Sequence, residues 1–198
     1  MDAERIKFVK IGADSPSSVF RKLSANHSDC LPDDILPMLG RGYLFHFHRF
    51  LAGSNQEMVY VAMDGQNPVA HLSITMDTGS LMRRVAVKTL PFLLFFAGVG
   101  FFGSASFRKI CKKVLQDAPP KVYNPQVVVI FSDNQYRGFG IAKKLLDHAM
   151  KDASLSDLYT KVAVSNVAAR NFYRSSGFYE VDRCFYCEKD YLLLRRSC

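Results

Sequence analysis

The octapeptide Gln135-Tyr136-Arg137-Gly138-Phe139-Gly140-Ile141-Ala142 constrains this chain more than any other segment. An apolar run over 127–131 precedes it and an amphipathic segment opens at Ile141, so the pattern predicts a strand, a tight glycine loop and a helix start in direct succession. Unpaired amides in a first helical turn and the positive end of the macrodipole attract anions, and glycines let a phosphate approach the backbone without a Cβ in the way. The segment reads as a pyrophosphate cradle.

Spacing narrows the kind of cradle. The dinucleotide fingerprint requires a third glycine and a downstream acid, and the triphosphate loop requires Gly-Lys-Ser/Thr after four intervening residues; neither pattern is present. Gln135, Gly138 and Gly140 instead fit Q/R-x-x-G-x-G/A. Further along, Asn166, Ala169, Phe172, Tyr173, Gly177 and Phe178 fit N-x-x-A-x-x-F-Y-x-x-x-G-F. A glycine pair alone is commonly a plain turn, and Phe-Tyr in a short helix is commonly core packing. With both signatures in this order, each preceded by an apolar run, the chain resembles the GNAT N-acetyltransferases over everything except roughly residues 80–120.

The composition agrees with one α/β domain over 1–198: 48% of the 198 residues are hydrophobic and 22% charged, enough to bury a core. Residues 5–11 read as a first strand, and 15–24 as a helix with Ser15 as cap and Pro16 at its first position. Residues 32–51 carry a near-helical period interrupted by Gly40 and Gly42, and 58–63 and 68–77 form a hairpin through Asp64-Gly65. The strand over 126–131 enters the loop, whose helix runs to about Lys151. A strand over 158–164, a short helix over 168–175 closed by Gly177 and a strand pair over 179–194 complete the order.

Five scattered cysteines, Cys30, Cys111, Cys184, Cys187 and Cys198, suggest no disulfide framework and point to a reducing compartment. Cys184 and Cys187 lie three apart in a strand-like run, where they face opposite ways, so no metal is expected. The polar start lacks the apolar core of a signal peptide, which makes a cytoplasmic location, free or at the inner face of the membrane, the expectation.

The resemblance implies a GNAT fold, a mixed but mostly antiparallel central sheet flanked by helices, with a basic, apolar helical insertion between the third and fourth strands. It implies acetyl-CoA as cofactor, its pantetheine arm bonded along the fourth strand at Ile130, Phe131 and Ser132. The loop residues Arg137, Gly138, Phe139, Gly140, Ile141 and Ala142 would hold the pyrophosphate, and Asn166 and Tyr173 would contact the cofactor arm. Tyr173 stands where many relatives place the proton donor for the departing thiolate. Relatives often carry a glutamate base where this chain has Gln126, and an amide cannot act as a base. His71 is the best substitute, with His46 and His48 weaker candidates. A neutral arriving amine or a non-catalytic chain are the other ways to read Gln126.

The acceptor implied is a small primary amine. The insertion is similar to that of members in bacterial surface-glycan pathways, which suggests a nucleotide- or lipid-linked amino sugar. A protein or peptide amine, or a non-catalytic acyl-CoA sensor or membrane adaptor, are the alternatives.

Residues 81–116 contain no Asp or Glu but hold Arg83, Arg84, Lys88, Arg108, Lys109, Lys112 and Lys113, seven charges against a net +8 for the chain. Between the clusters, residues 89–107 are uncharged and include six phenylalanines, Phe92, Phe95, Phe96, Phe101, Phe102 and Phe107. A crossing is rejected, because it would separate two halves of one sheet and because Pro91, Gly98, Gly100 and Gly103 interrupt a helix. Three readings stay open for this segment: a lid over the acceptor pocket, an element on an anionic membrane surface, and a homodimer contact. Nucleic acid is not expected, since the charges flank an apolar block instead of alternating with exposed aromatics.

Overall fold

A computed structural model describes residues 5–32, 34, 36–98, 121–186 and 188–197, with side chains outside 90–98. Seven strands form one sheet: β1 (Ile6–Ile11), β2 (Glu57–Asp64), β3 (Asn67–Thr75), β4 (Gln126–Ser132), β5 (Asp157–Ala163), β6 (Tyr179–Tyr186) and β7 (Lys189–Ser197). Their order is β1-β2-β3-β4-β5-β7-β6, and every neighbouring pair is antiparallel except β4 and β5. This is the mostly antiparallel architecture implied by the resemblance.

Among the described residues, five helices flank the sheet: α1 (Ser17–Cys30), α2 (Gly40–Gly53), α3 (Thr78–Gly98), α4 (Ile141–Asp152) and α5 (Val167–Ser175). Helix α4 turns Ile141, Leu145, Leu146 and Ala149 onto the sheet face built by Leu72, Ile74 and Leu158. Leu145 and Leu146 are fully buried there, each contributing about 1.5–3 kcal/mol. On the opposite face α1 and α2 bring Phe20, Leu23, Phe47 and Leu51 against Val59, Val61, Val129 and Phe131. Covered on both sides, β3 is buried from Pro68 to Thr75 and reads as a continuous apolar run interrupted by polar residues.

Some boundaries differ from the expectation. Helix α1 begins at Ser17, not Ser15; Pro16 occupies the cap position and no side chain caps the helix. It also continues past Ser24 to Cys30, because Asn26 and His27 take the inward positions in place of apolar residues. Their burial is compensated locally: Asn26 Nδ2 donates to Pro68 O at 3.0 Å, and His27 Nδ1 meets His48 Nε2 at 3.0 Å. The break expected in 32–51 falls at Gly40, whose φ of +83° separates a 3-10 turn over Pro37–Leu39 from α2.

Helix α3 lies between β3 and β4, as expected of the insertion. Phe101, Phe102, Phe107, Arg108, Lys109, Lys112 and Lys113 lie outside the described residues, as do the side chains of Phe92, Phe95 and Phe96 and the residues Cys111, Cys187 and Cys198. Among the described residues, no helix is long and apolar enough to cross a membrane.

Candidate functional site

Strands β4 and β5 pair at one register point, Gln126 with Tyr159, supported by Tyr159 N donating to Pro125 O at 2.9 Å. Beyond it β4 stays bonded to β3, with Leu72 opposite Ile130, His71 opposite Phe131 and Ala70 opposite Ser132. The edge of β4 that faces β5 therefore diverges from its neighbour and keeps backbone groups that an extended ligand can bond as an added strand.

The loop leaves β4 at Ser132. Asp133 caps the next turn, its side chain accepting from Gln135 N at 3.1 Å. Gly138 and Gly140 adopt φ of +83° and +73°, a region that disfavours any side chain with a Cβ. A Cβ built at either glycine meets no atom within 4 Å, so backbone conformation, not crowding, requires glycine, and the space above the loop is open. No side chain caps α4; the amides of its first turn are left for a ligand. Arg137 reaches back along the rim, donating from Nη2 to Cys30 O at 3.2 Å. The thiol of Cys30 in turn donates to Ser132 O at 3.2 Å. Phe139 projects 52% exposed over the loop. Diverging strands, open glycine turn and uncapped helix fit the pantetheine arm and pyrophosphate of a coenzyme A thioester.

At the second signature, Asn166 caps α5, its side chain accepting from Ala169 N at 3.0 Å. That bond engages the carbonyl oxygen and leaves the side-chain NH2 available. Tyr173 points into the sheet, 6% exposed, with Phe172 and Phe178 edge-on at 5.2 and 5.1 Å. Burial pushes its phenol up to about 12, while a hydrogen bond from the Thr160 side chain acts in the opposite sense. Near neutral pH the group is a protonated donor. Thr160 escaped the sequence reading because a threonine at an inward strand position carries no signal of its own.

His71 is fully buried and stacks on Phe131, with ring centroids 5.1 Å apart. Burial lowers its pKa to about 3, and the nearby His27 adds to the shift. Among the described residues, neither ring nitrogen has a hydrogen-bond partner. So low a basicity weakens the reading of His71 as the proton acceptor. His48, also fully buried, is lowered by burial and by His71 and His27, whereas His46 is only partly covered. Among the described residues no cluster could hold a metal.

Gln126 begins a polar row that runs across the sheet, with Gln126 opposite Thr75 and Thr75 opposite Glu57. Gln126 Oε1 accepts from Thr78 Oγ1 at 3.2 Å, and Thr75 Oγ1 donates to Glu57 Oε1 at 2.9 Å. Arg84 pairs with Glu57 and with Asp77, the latter at 3.0 Å. The Glu57 side chain is fully buried and its Oε2 has no hydrogen-bond partner among the described residues. Sequence reasoning missed Glu57, since an acid at the start of a strand normally marks a solvated end.

The family model for the acetyltransferase (GNAT) family matches residues 23–178. The chain belongs to this family. It is an N-acetyltransferase with acetyl-CoA as its acyl donor. No curated protein matches the sequence. Solved structures share the fold at low identity. The ribosomal-protein-S18-alanine N-acetyltransferase from Escherichia coli is 12% identical with a TM-score of 0.58, covering 97% of this chain and 93% of its own. A spermidine N-acetyltransferase chimera of Vibrio cholerae origin is 14% identical with a TM-score of 0.54, covering 98% and 95%. The NatC complex bound to a Gag peptide and CoA is 17% identical with a TM-score of 0.55, covering 98% and 99%. At such identities the likeness concerns the fold.

Proposed function

We propose that this acetyltransferase modifies the primary amine of a small molecule, with a nucleotide- or lipid-linked amino sugar as the leading acceptor. The open edge of β4 leading into the glycine loop, with Tyr173 on α5, carries the use of acetyl-CoA, and the positive charge of residues 81–116 supports a phosphate-bearing acceptor. Bound acetyl-CoA supplies the acyl thioester that the amine attacks directly.

The residues of this chain divide the work. Amides from Arg137 to Ala142 bind the pyrophosphate, and the Arg137 guanidinium adds positive charge at the rim. Backbone groups of Ile130, Phe131 and Ser132 align the pantetheine arm, and the Asn166 side chain contacts it. With acetyl-CoA bound, the Tyr173 phenol would give its proton to the sulfur as the carbon–sulfur bond breaks and would regain one from solvent, with Thr160 holding the phenol oxygen. The proton shed by the amine leaves to solvent or to a second molecule of amine, because Gln126 cannot accept it. An acceptor whose amine is neutral at working pH meets this requirement.

A peptide amine is the alternative acceptor, and a non-catalytic acyl-CoA sensor is the alternative from another class, favoured specifically by Gln126. Coenzyme A binding measured first, followed by thiol release from acetyl-CoA across amino sugars, polyamines and peptides, separates the three. Release with amino sugars supports the leading reading. Release only with peptides replaces it, and binding without release for any amine favours the sensor. For residues 81–116, cosedimentation with anionic but not neutral liposomes separates a membrane-surface element from a lid or a dimer contact.

A further inference from the structure

A cleft of about 730 Å³ opens between the C-terminal end of α2 and the first turns of α3. Arg49, Phe50, Arg83, Arg84, Val87 and Lys88 line it, and no carboxylate does among the described residues. Its cations differ in state. Arg84 is bound by Glu57 and Asp77 and so is locked in place with its charge compensated. Arg49, Arg83 and Lys88 are exposed and form neither an ion pair nor a hydrogen bond among the described residues. The charge of Arg49 is felt nearby, where it helps to lower the pKa of His46.

Three cations with no partner among the described residues surround one concavity and repel one another, and a multiply charged anion relieves that repulsion. A single carboxylate balances one of them. A diphosphate balances nearly all, and two guanidinium groups suit its oxygens geometrically. Phe50 and the 66% exposed Val87 add an apolar wall, and the volume is that of a pocket for a nucleotide-sized molecule.

The cleft is separate from the cofactor cradle. Its Arg84 pairs with Glu57 at the start of β2, which lies opposite Thr75 at the end of β3, level with Gln126 at the start of β4. The glycine loop follows the other end of the seven-residue β4, roughly 20 Å away along the strand. An acyl arm running down β4 from the loop points towards the cleft's end of the sheet.

We propose that the α2–α3 cleft is a second anion site, which binds the diphosphate group of the acceptor. Naming that group as the acceptor's rests on the proposed function above, but the site itself is testable without any acetyl transfer. The ligand chemistry is a diphosphate ester, free as in a nucleoside diphosphate or carried by a lipid headgroup.

The test is calorimetric titration of the full chain with inorganic pyrophosphate, with coenzyme A saturating the cradle. One pyrophosphate should bind per chain, and it should also bind to Gly138→Glu, whose cradle is blocked. Arg83→Glu, Lys88→Glu and Arg49→Glu should each weaken it by roughly tenfold or more, while coenzyme A affinity stays unchanged. Thermal unfolding of each variant checks the fold, and Arg83→Gln, which only removes charge, should weaken binding less than Arg83→Glu. Competition by a nucleoside diphosphate without retention on vesicles bearing a lipid diphosphate assigns a free ligand. Retention on those vesicles, lost in the same variants, assigns a lipid headgroup. Pyrophosphate binding that disappears under coenzyme A or in Gly138→Glu, that is unchanged in the cleft variants, or that is absent in the wild type overturns the proposal whatever the acetylation assays return.

Discussion

His71 on β3 stacks on Phe131 of β4 with ring centroids 5.1 Å apart and planes inclined by 20°, directly behind the strand assigned to the pantetheine arm. His48 meets His71 edge-on at 4.7 Å and reaches His27 at 3.0 Å, so three buried imidazoles connect β3 with α2 and α1. The arrangement stiffens the strand from behind, and it ties the stability of the protein to pH.

The folded-state pKa of His71, about 3, lies below the unfolded value of 6.5, and His48 is shifted in the same direction. Below pH 6.5 the unfolded chain takes up protons that the folded chain refuses, so stability is full above 6.5 and falls as the pH drops towards 3. Each group contributes a slope approaching about 1.4 kcal/mol per pH unit. Denaturant titrations between pH 7.5 and 5 should show the decline, and His71→Phe should reduce its slope by one proton's worth. A variant with the wild-type slope would remove His71 as a cause.

The same burial sets an expectation for catalysis. If the amine arrives neutral and His71 is not the base, His71→Gln should retain the acidic limb of the rate profile, since that limb then belongs to the acceptor amine. Its disappearance would restore the histidine as base.

Gly138 is held at φ +83° with open space beyond it. Gly138→Glu should abolish coenzyme A binding by placing a carboxylate in the phosphate path, while unfolding stays cooperative. Gly138→Ala isolates the backbone effect, costing roughly 1–2 kcal/mol of left-handed strain and weakening the cofactor less than the glutamate does. Wild-type affinity in Gly138→Glu would sink the cradle assignment.

Tyr173→Phe should lower turnover on the order of 10- to 1000-fold with little change in acetyl-CoA affinity, as expected for a donor used in the transition state. Thr160→Val should give a smaller loss, because the phenol keeps its proton and loses only its alignment. Steady-state kinetics that return an unchanged kcat for Tyr173→Phe refute the role.

Glu57 accepts from Thr75 and pairs with Arg84 without exposure to solvent. Glu57→Gln keeps the shape but removes the charge, and should destabilise the fold by about 1.5–3 kcal/mol in denaturant titrations. Asp77 remains as a second partner for Arg84 and limits the loss. Stability equal to wild type would mean that the pair contributes nothing net, as some buried pairs do.

Local sequence determined those parts of the protein whose information lies within a few neighbouring residues. A glycine pair between an apolar run and a helical period requires positive φ wherever it folds, which is why the loop, α4 and the capped start of α5 were legible. The Asp64-Gly65 turn between β2 and β3 was legible for the same reason. Relations between distant segments were not. Helix α1 read as ending at Ser24 because Asn26 and His27 look like solvated residues until Pro68 and His48, far away in the chain, supply their partners. His71 read as the best substitute base because nothing adjacent to it announces that Phe131 will stack on it and that burial will lower its pKa. Glu57 acquires its role only when strand register sets it beside Thr75 and α3 brings Arg84 to it, and Thr160 acquires its own only when it meets Tyr173 on α5. Burial and charge pairing depend on which atoms meet across the sheet, and only the tertiary structure decides that.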